Sequence, residues 1–224
     1  MYRERVVILG TAHGSNVPGK QSPDGKFREY AYSRKIINRI KPKLEAMGFL
    51  VFIDMPQDVV PTPQGKELEK RVSIVNNICA KYGKANCLYV SIHVNAAGGD
   101  GKWKLAGGWC AFTTKGFTKS DIAAECFYDE AVIELKDYEL IMADGIKKGT
   151  YTKQQVPYRT EKVDGDRDLE KNFYVIYHTI CPAVLTENLF QDHKSDVAFL
   201  NSEKGMDAIV NIHVNGIAKY FNKI

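Results

Sequence analysis

Several features that mark particular protein classes are missing from this chain of 224 residues. No apolar run approaches the roughly 18 residues of a membrane-spanning helix, so we expect no transmembrane segment. No positively charged start leads into a long apolar stretch, so the sequence predicts no signal peptide. Lys and Arg are interspersed with Asp and Glu at a net charge of +4. This scatter lacks the basic run of a nucleic-acid-binding surface, and no nucleic-acid partner is expected.

Cysteine pairing is also missing from the sequence. The chain has five cysteines, an odd number, and no two of them form a CxxC pair. This spacing argues against a disulfide scaffold and favours folding in a reducing compartment. Four of the five lie within apolar helix or strand patterns and are expected to be small buried hydrophobic residues: Cys79, Cys87, Cys110 and Cys181.

The composition is that of an ordinary globular protein, with 44% hydrophobic and 26% charged residues, and the length fits one domain. Apolar runs alternate with amphipathic stretches in the first half of the chain. They predict strands and helices in the order Val6–Gly10, Arg28–Met47, Phe49–Ile53, Lys66–Tyr82 and Cys87–Val94. Continuous apolar strands between amphipathic helices indicate an α/β fold with a mostly parallel sheet flanked by helices.

The second half of the chain has a less regular pattern. Further strands are predicted at Gly108–Thr113, Phe173–Thr179 and Ala183–Glu187. Residues Ser120–Lys148 have a helical tendency, and Ser202 is suited to cap a final helix. The stretches Gly98–Gly108 and Gly149–Lys171 are expected to be irregular.

Polar side chains stand at the ends of three predicted strands. His13 and His93 each follow an apolar run, Glu187 follows a third, and Glu29 opens the first long helix. Because ligands of open α/β sheets bind outside the carboxyl ends of the strands, we expect these four residues to meet. Two His and one Glu with an open fourth position form a known set of catalytic zinc ligands, and the remaining Glu would be the general base.

Each of these residues also has an ordinary structural explanation. His13 could be an exposed turn residue, His93 could cap the core, and Glu29 could be a helix N-terminal charge. Glu187 fits such an explanation least, since a carboxylate in a buried strand must be paired or face a cleft. The joint arrangement favours a site.

Other polar residues are weaker candidates. His178 lies in a predicted strand, where alternation would bury it or turn it to the opposite face, whereas His193 could line the cleft. His213 falls on the apolar stripe of the last helix and is expected to be a core residue. Asp24 competes with Glu29 for a metal role, but its position between Pro and Gly suits a turn.

Three segments resemble the zinc-dependent N-acetylmuramoyl-L-alanine amidases of the Amidase_3 type: GTAHGS with Glu29, SIHVNA, and PAVLTENLFQDHKSDVAFLNS before a closing helix. The resemblance is good over Val6–Ala97 and Phe173–Phe221 and poor between them. It implies a single catalytic domain over residues 1–224 with a twisted, mostly parallel, phosphorylase/hydrolase-like sheet akin to that of zinc peptidases. The implied reaction is hydrolysis of the amide between N-acetylmuramic acid and L-alanine in peptidoglycan.

The resemblance also implies roles for individual residues. The Zn²⁺ ligands carried over are His13, Glu29 and His93, and the catalytic residue is Glu187. The family usually has Asp-Pro-Gly before its first His, where this chain has Gly-Thr-Ala. It commonly has a Gly and a Phe after the catalytic Glu, where Asn188 and Leu189 intervene here. The first departure concerns the shape of the loop and leaves the ligand in place.

The stretch around residues 98–171 is longer than a minimal family member needs. We expect this insertion to form a wall of the substrate groove or a gate over the site. Its aromatic residues either contact sugar and peptide or pack in the protein: Trp103, Trp109, Tyr151 and Tyr158. Asn95 and His193 are further candidates for substrate contact.

Three functions stay open at this point: a zinc amidase, a zinc peptidase that cuts within a peptide, and a catalytically inactive wall-binding module. A catalytic domain without a signal peptide also resembles a phage or prophage endolysin. Such a protein is made in the cytoplasm and acts on the cell wall after release, the alternative being an exported form whose signal has been removed.

Overall fold

The computed structural model describes residues 4–138, 157–161 and 165–224. In this part of the chain the strands are β1 (Val6–Thr11), β2 (Leu50–Ile53), β3 (Cys87–Asn95), β4 (Cys110–Thr113), β5 (Leu169–Glu170) and β6 (Ala183–Phe190). The α-helices are α1 (Glu29–Ala46), α2 (Gln64–Tyr82), α3 (Lys119–Glu134), α4 (Tyr174–Tyr177), α5 (Lys194–Asn201) and α6 (Glu203–Lys223).

The strands form one mixed sheet in the order β2-β1-β3-β6-β4-β5. The four strands β2, β1, β3 and β6 run parallel, whereas β4 pairs antiparallel with β6. The predicted α/β class with a mostly parallel sheet is therefore confirmed. The parallel strands bring the carboxyl ends of β1, β3 and β6 to one edge of the sheet, and this edge carries the predicted site.

Both faces of the sheet are covered, which explains the continuous apolar strands. In β1, Val7 and Leu9 belong to a large core cluster with residues of α1, α3 and α6. Val6 and Ile8 point to the other face, into a smaller cluster with residues of α2 and α4. Burial on both faces removes the alternation of polar and apolar residues that a one-sided sheet shows.

Helix boundaries follow local signals. Helix α1 begins at Glu29 and continues through Pro42 to Ala46, after which Gly48 adopts a φ of 86°. Helix α6 begins after Ser202, whose hydroxyl accepts a hydrogen bond from the amide of Gly205 at 3.0 Å. The predicted cap at Ser202 is confirmed.

The prediction of a strand at Phe173–Thr179 is wrong, because this segment contains helix α4. Its aromatic and β-branched residues favour a strand, but the two buried side chains, Val175 and Ile176, are neighbours in sequence. A strand would place them on opposite faces, whereas a helical turn lets both pack against the core.

The predicted helical tendency of Ser120–Lys148 is confirmed over α3, and residues 139–148 lie outside the described residues. Helix α3 begins with a capping box formed by Thr118 and Asp121. The five cysteines are all buried and unbridged, as expected of small hydrophobic side chains. Among the helices that the structure describes, none combines the length and apolar character needed to cross a membrane.

Candidate metal and catalytic site

The four predicted site residues converge at the carboxyl edge of the parallel strands. His13 lies two residues beyond β1, His93 lies in β3, and Glu29 is the first residue of α1. One potential ligand atom from each of these three residues lies within 4.8 Å of the others. Glu187 in β6 is paired in register with His93. The arrangement follows from parallel strands whose carboxyl ends share an edge.

Glu29 is the centre of the contacts. Its Oε1 lies 3.0 Å from Nδ1 of His93 and accepts a hydrogen bond from the amide of Val94 at 3.1 Å. Its Oε2 lies 3.7 Å from Nε2 of His13. The two imidazole rings meet edge to face with centroids 5.1 Å apart. Because Glu29 opens a helix, its backbone is fixed by α1 while its side chain bridges the ends of two strands.

Burial sets the protonation of His13 and Glu29. Burial lowers the pKa of His13 to about 3 despite the opposing charge of Glu29, so the imidazole is neutral at neutral pH. Burial alone would raise the pKa of Glu29, but the hydrogen bonds from the His93 ring and the Val94 amide help to hold it below its ordinary value. A neutral imidazole and an ionised carboxylate are the forms that bind a metal ion.

Two polar atoms at this site lack a protein partner. Nδ1 of His13 and Oε2 of Glu187 are buried and make no hydrogen bond among the described residues. Leaving a buried polar atom unsatisfied costs about 1–3 kcal/mol, so such atoms point to a missing ligand. Two imidazoles and one carboxylate are suitable donors for Zn²⁺. The residues therefore fit a divalent cation held by His13, Glu29 and His93.

Glu187 differs from Glu29 in its electrostatic environment. Burial of its carboxyl group, followed by the negative charge of Glu29, raises the pKa of Glu187 well above its ordinary value. A divalent cation in the neighbouring cluster would favour the ionised form of this carboxyl group. Without a cation the buried Glu187 carboxyl group thus favours its protonated form.

A β-bulge follows the pair His93 and Glu187. The next paired residues are Asn95 and Phe190, so β6 holds one more residue than β3. Leu189 in this bulge has a φ of 64°, which is unusual for a residue with a branched side chain. The two residues that intervene before Phe190 thus form the bulge, a feature often found next to active sites.

The predicted substrate-binding residues Asn95, Trp103 and His193 lie at the end of a strand, in a loop and at the start of a helix. Asn95 ends β3 and is half-buried, and Trp103 is half-buried in the following loop, with Nζ of Lys194 5.7 Å from its ring centroid. His193 caps α5, and its Nδ1 lies 2.9 Å from Oδ1 of Asp196. Contact of these residues with substrate stays a prediction.

Trp109 requires a correction. Its side chain is fully buried, packs edge to face on Tyr128, and donates its indole N–H to Oδ1 of Asn188 at 2.9 Å. It therefore belongs to the core and presents no surface to a substrate. Tyr158 packs against the same core, and Tyr151 lies outside the described residues.

Three weaker candidates lie away from this site. His213 is a buried core residue, as predicted, and its Nε2 lies 2.9 Å from the hydroxyl of Thr186. His178 directly follows helix α4 and is exposed, whereas the sequence predicted a strand that would bury it or turn it to the opposite face. Asp24 is exposed in the predicted turn, where it accepts a hydrogen bond from the hydroxyl of Ser22 at 2.6 Å.

The groups that support the cluster were not predicted from the sequence. Oγ of Ser91 lies 3.1 Å from Nε2 of His93, two residues along the same strand. Arg34 and Arg71 each donate a hydrogen bond to the carbonyl oxygen of His13. A signal for Arg71 was present, since it lies four residues before Val75 on the buried face of α2. A charged residue at that spacing indicates a buried ion pair.

A pocket lies just beyond the ends of β3 and β6. Its volume is about 150 Å³, and it is lined by residues of three segments: Gly19–Pro23 in the loop after β1, Ala96–Lys102 in the loop after β3, and Gln191 with Asp192. Oδ2 of Asp192 accepts hydrogen bonds from the amides of Ala97 and Gly98 at 2.8 and 3.0 Å. These bonds fasten the glycine-rich loop to the end of β6.

The chain is similar in sequence to a phage endolysin and to a bacterial amidase. The chain is 32% identical over 219 residues to the endolysin of Bacillus phage SPP1, a match that covers 97% of this chain and 66% of the endolysin. It is 43% identical over 51 residues to the N-acetylmuramoyl-L-alanine amidase CwlM of Bacillus licheniformis, covering 23% of this chain and 20% of CwlM. The chain thus spans less than two thirds of the length of these relatives.

The fold is similar to that of a solved amidase. The CwlD amidase from Clostridioides difficile, in complex with the GerS lipoprotein, superposes with a TM-score of 0.74 at 21% identity, covering 99% of this chain and 100% of CwlD. The Amidase_3 family, described as N-acetylmuramoyl-L-alanine amidase, matches residues 7–219. The matched range includes Glu187 and the three residues of the cluster. The chain belongs to the Amidase_3 family of N-acetylmuramoyl-L-alanine amidases, which are amide hydrolases.

Proposed function

We propose that this protein hydrolyses the amide between N-acetylmuramic acid and L-alanine in peptidoglycan. In this proposal His13, Glu29 and His93 hold Zn²⁺ and Glu187 is the catalytic residue. The observation that carries it is the register pairing of Glu187 with His93, which places an unpartnered carboxylate oxygen beside a three-residue ligand cluster. Membership of the amidase family supports the choice of reaction.

The carboxyl group of Glu187 moves the proton. Zn²⁺, when bound, supplies Lewis acidity that lowers the pKa of water and polarises the amide carbonyl. Glu187 takes a proton from the attacking water and delivers it to the departing amide nitrogen. Its partial burial limits exchange of that proton with solvent, and its raised pKa makes it an effective donor in the second half of the reaction.

The remaining residues of the cluster fix the geometry. The hydrogen bonds from Val94 and His93 hold the Glu29 carboxylate, and Ser91 contacts the other nitrogen of the His93 ring. Such partners orient metal ligands and tune their basicity. The pocket beyond β3 and β6 is suited to the part of the substrate next to the scissile amide, and Asn95 and Trp103 are each next in sequence to a residue that lines it.

We further propose that the protein acts on the bacterial cell wall, as an endolysin-type enzyme. The curated relative that this chain matches over 97% of its length is named an endolysin. That relative is longer than this chain, so its complete activity is not carried over.

Product analysis tests the proposed function. Purified protein is incubated with isolated peptidoglycan, and the released fragments are identified by mass spectrometry. Free stem peptides that begin with L-alanine, lost with a chelator and restored by Zn²⁺, are expected. Fragments cut within the stem would move the assignment to a peptidase. Wall binding without any release would favour an inactive binding module.

A further inference from the structure

The backbone of His13 has a conformation that needs external support. Its φ is 37°, in the left-handed region that residues other than glycine rarely adopt. A residue in this conformation is strained and persists only where its surroundings fix it. The direction of the His13 side chain toward Glu29 and His93 depends on this backbone conformation.

The ring of His13 receives little help from hydrogen bonds. Its Nδ1 has no partner among the described residues, and its Nε2 is 3.7 Å from Glu29, beyond hydrogen-bonding distance. The ring of His93, by contrast, contacts Glu29 on one nitrogen and Ser91 on the other, at 3.0 and 3.1 Å. The two histidines are therefore oriented by different means, His93 through its ring and His13 through its main chain.

Two guanidinium groups converge on the carbonyl oxygen of His13. Nη2 of Arg34 lies 3.0 Å from this oxygen and Nη2 of Arg71 lies 3.1 Å from it. The two arginines come from different helices, α1 and α2, which lie on opposite faces of the sheet. Hydrogen bonds from charged donors are about twice as strong as neutral ones, so this carbonyl is held firmly.

Arg34 joins the loop after β1 to the loop after β2. Its Nη1 donates to the carbonyl oxygen of Ala12 at 3.0 Å, and its Nη2 donates to that of Gln57 at 2.7 Å. The carbonyl oxygen of Asp58 accepts a further bond between these loops, from the amide of Ser15 at 2.8 Å. The peptide units on both sides of His13 are thus fastened to a neighbouring loop.

Arg71 joins the carbonyl of His13 to a buried ionic network. Its Nη1 lies 2.9 and 2.8 Å from the two carboxylate oxygens of Asp54, and its Nε donates to Glu67 at 3.0 Å. Asp54 also accepts hydrogen bonds from the amide of Thr11 at 2.9 Å and the hydroxyl of Tyr89 at 3.0 Å. Arg71 is therefore held on several sides while one nitrogen remains directed at His13.

Both arginines are buried, and each has a carboxylate partner. Arg71 pairs with the buried Asp54 and Glu67, whereas Nε of Arg34 lies 3.3 Å from Oδ1 of Asp58, which is exposed. Buried guanidinium groups are tolerated because they are paired in this way. The rigid fork of a guanidinium can bind a carboxylate and a carbonyl at once, which the single ammonium of lysine cannot do with the same geometry.

We propose that Arg34 and Arg71 are positioning residues that hold the His13 backbone in its left-handed conformation and thereby aim its imidazole at the metal. This inference rests on the proposed function only in taking His13 as a ligand. It assigns the two arginines to metal binding through the main chain rather than to contact with substrate.

The test compares Arg34→Lys and Arg71→Lys with the same substitution elsewhere on α1. Both substitutions keep the positive charge and remove the fork that reaches His13. The control is Arg39→Lys, because the Arg39 side chain pairs with Glu203 and does not contact the His13 carbonyl. Zn²⁺ affinity is measured by competition with a chromophoric chelator, the Co²⁺-loaded proteins are compared by visible absorption, and folding is checked by circular dichroism and urea unfolding.

We expect Arg34→Lys and Arg71→Lys to bind Zn²⁺ about 10-fold or more weakly and to change the Co²⁺ spectrum, as loss of groups that orient ligands does. Arg39→Lys is expected to keep the Zn²⁺ affinity and the Co²⁺ spectrum of the wild type. Folded Arg34→Lys and Arg71→Lys proteins that bind Zn²⁺ as tightly as the wild type would overturn the proposal. If Arg71→Lys does not fold, Arg34→Lys decides the question alone.

The test of the positioning role is independent of the test of the proposed reaction, because Zn²⁺ affinity is measured without peptidoglycan. A wild-type protein that binds Zn²⁺ but releases no stem peptide would leave the positioning role intact and remove the assigned reaction. A wild-type protein that binds no Zn²⁺ would overturn the metal site and the positioning role together.

Discussion

His93 and Glu187 face each other in register across the neighbouring parallel strands β3 and β6. The bulge that follows is stabilised by Asn188, whose side-chain amide donates to the carbonyl oxygen of His93 at 2.9 Å. The same Asn188 accepts the indole N–H of the buried Trp109. Trp109, a core residue directly before the antiparallel strand β4, thus helps to fix the neighbouring strands β3 and β6. These two strands carry one proposed ligand and the proposed base.

The first prediction concerns Glu187→Gln. Glutamine keeps the shape of the side chain but cannot accept and release the proton, so turnover is expected to fall by about 10²–10⁴-fold. The cluster of His13, Glu29 and His93 is unchanged, so bound zinc is expected to stay at the wild-type level. Turnover is followed by stem-peptide release and zinc by elemental analysis.

The matched control is Glu170→Gln, the same substitution in β5 at the far edge of the sheet. Its activity is expected to equal that of the wild type. A Glu187→Gln protein that is folded, holds zinc and keeps wild-type turnover would show that another group carries the proton.

The second prediction concerns metal removal. In the proposed site, bound Zn²⁺ is expected to stabilise the folded state by about 4 kcal/mol when its concentration is 1,000 times the dissociation constant. A chelator should therefore lower the melting temperature of the wild type. In Glu29→Gln the charged ligand is lost, so the chelator should have little further effect. Glu45→Gln, an exposed position near the other end of α1, should behave like the wild type.

Differential scanning fluorimetry with and without the chelator provides the measurement. Equal shifts in the wild type and Glu29→Gln would place the metal at a different set of residues.

The third prediction concerns the ionic network below His13. Asp54→Ala leaves the buried Arg71 without its bidentate counter-charge, and breaking such a pair typically costs about 3–5 kcal/mol of the free energy of unfolding. Glu69→Ala removes the partner of Lys66 in an exposed pair and should cost less than about 1 kcal/mol. Urea unfolding of both variants gives the comparison. Similar values for the two would mean that water reaches Arg71.

Much of the site could be predicted because each key residue follows a strong local signal. His13, His93 and Glu187 come at or after continuous apolar runs, and Glu29 stands where helical spacing begins. In a parallel sheet these positions share one edge, so the order of elements alone brings them together. The short two-residue strand β5 carries no such pattern and was not predicted.

Other features depend on partners that are distant in sequence. Arg71 binds Asp54, which lies 17 residues away, and the carbonyl of His13, which lies 58 residues away. Trp109 follows a glycine-rich stretch that suggests exposure, yet the antiparallel pairing of β4 with β6 brings it into the core beside Asn188. The partners of Arg71 and the burial of Trp109 are decided by the packing of segments that are distant in sequence.

The last prediction concerns pH and a second group of carboxyls, remote from the site. Burial raises the pKa of Asp168 to about 7 from its ordinary 3.8, against the hydrogen bond from Thr113 and together with the negative charges of Asp166 and Asp121. The folded protein therefore keeps this proton at pH values where the unfolded chain has released it. Stability is expected to fall as the pH rises from about 4 to 7, by about 1–3 kcal/mol.

Asp168→Asn removes this ionisable group while keeping the acceptor oxygen for the hydroxyl of Thr113. The variant should be more stable than the wild type at pH 8, and the two should be similar at pH 4, because Asp168 is protonated there in the folded protein. Urea unfolding at pH 4, 6 and 8 measures the difference. Parallel stability curves for the two proteins across this range would show that Asp168 ionises in the folded state as it does in the unfolded chain.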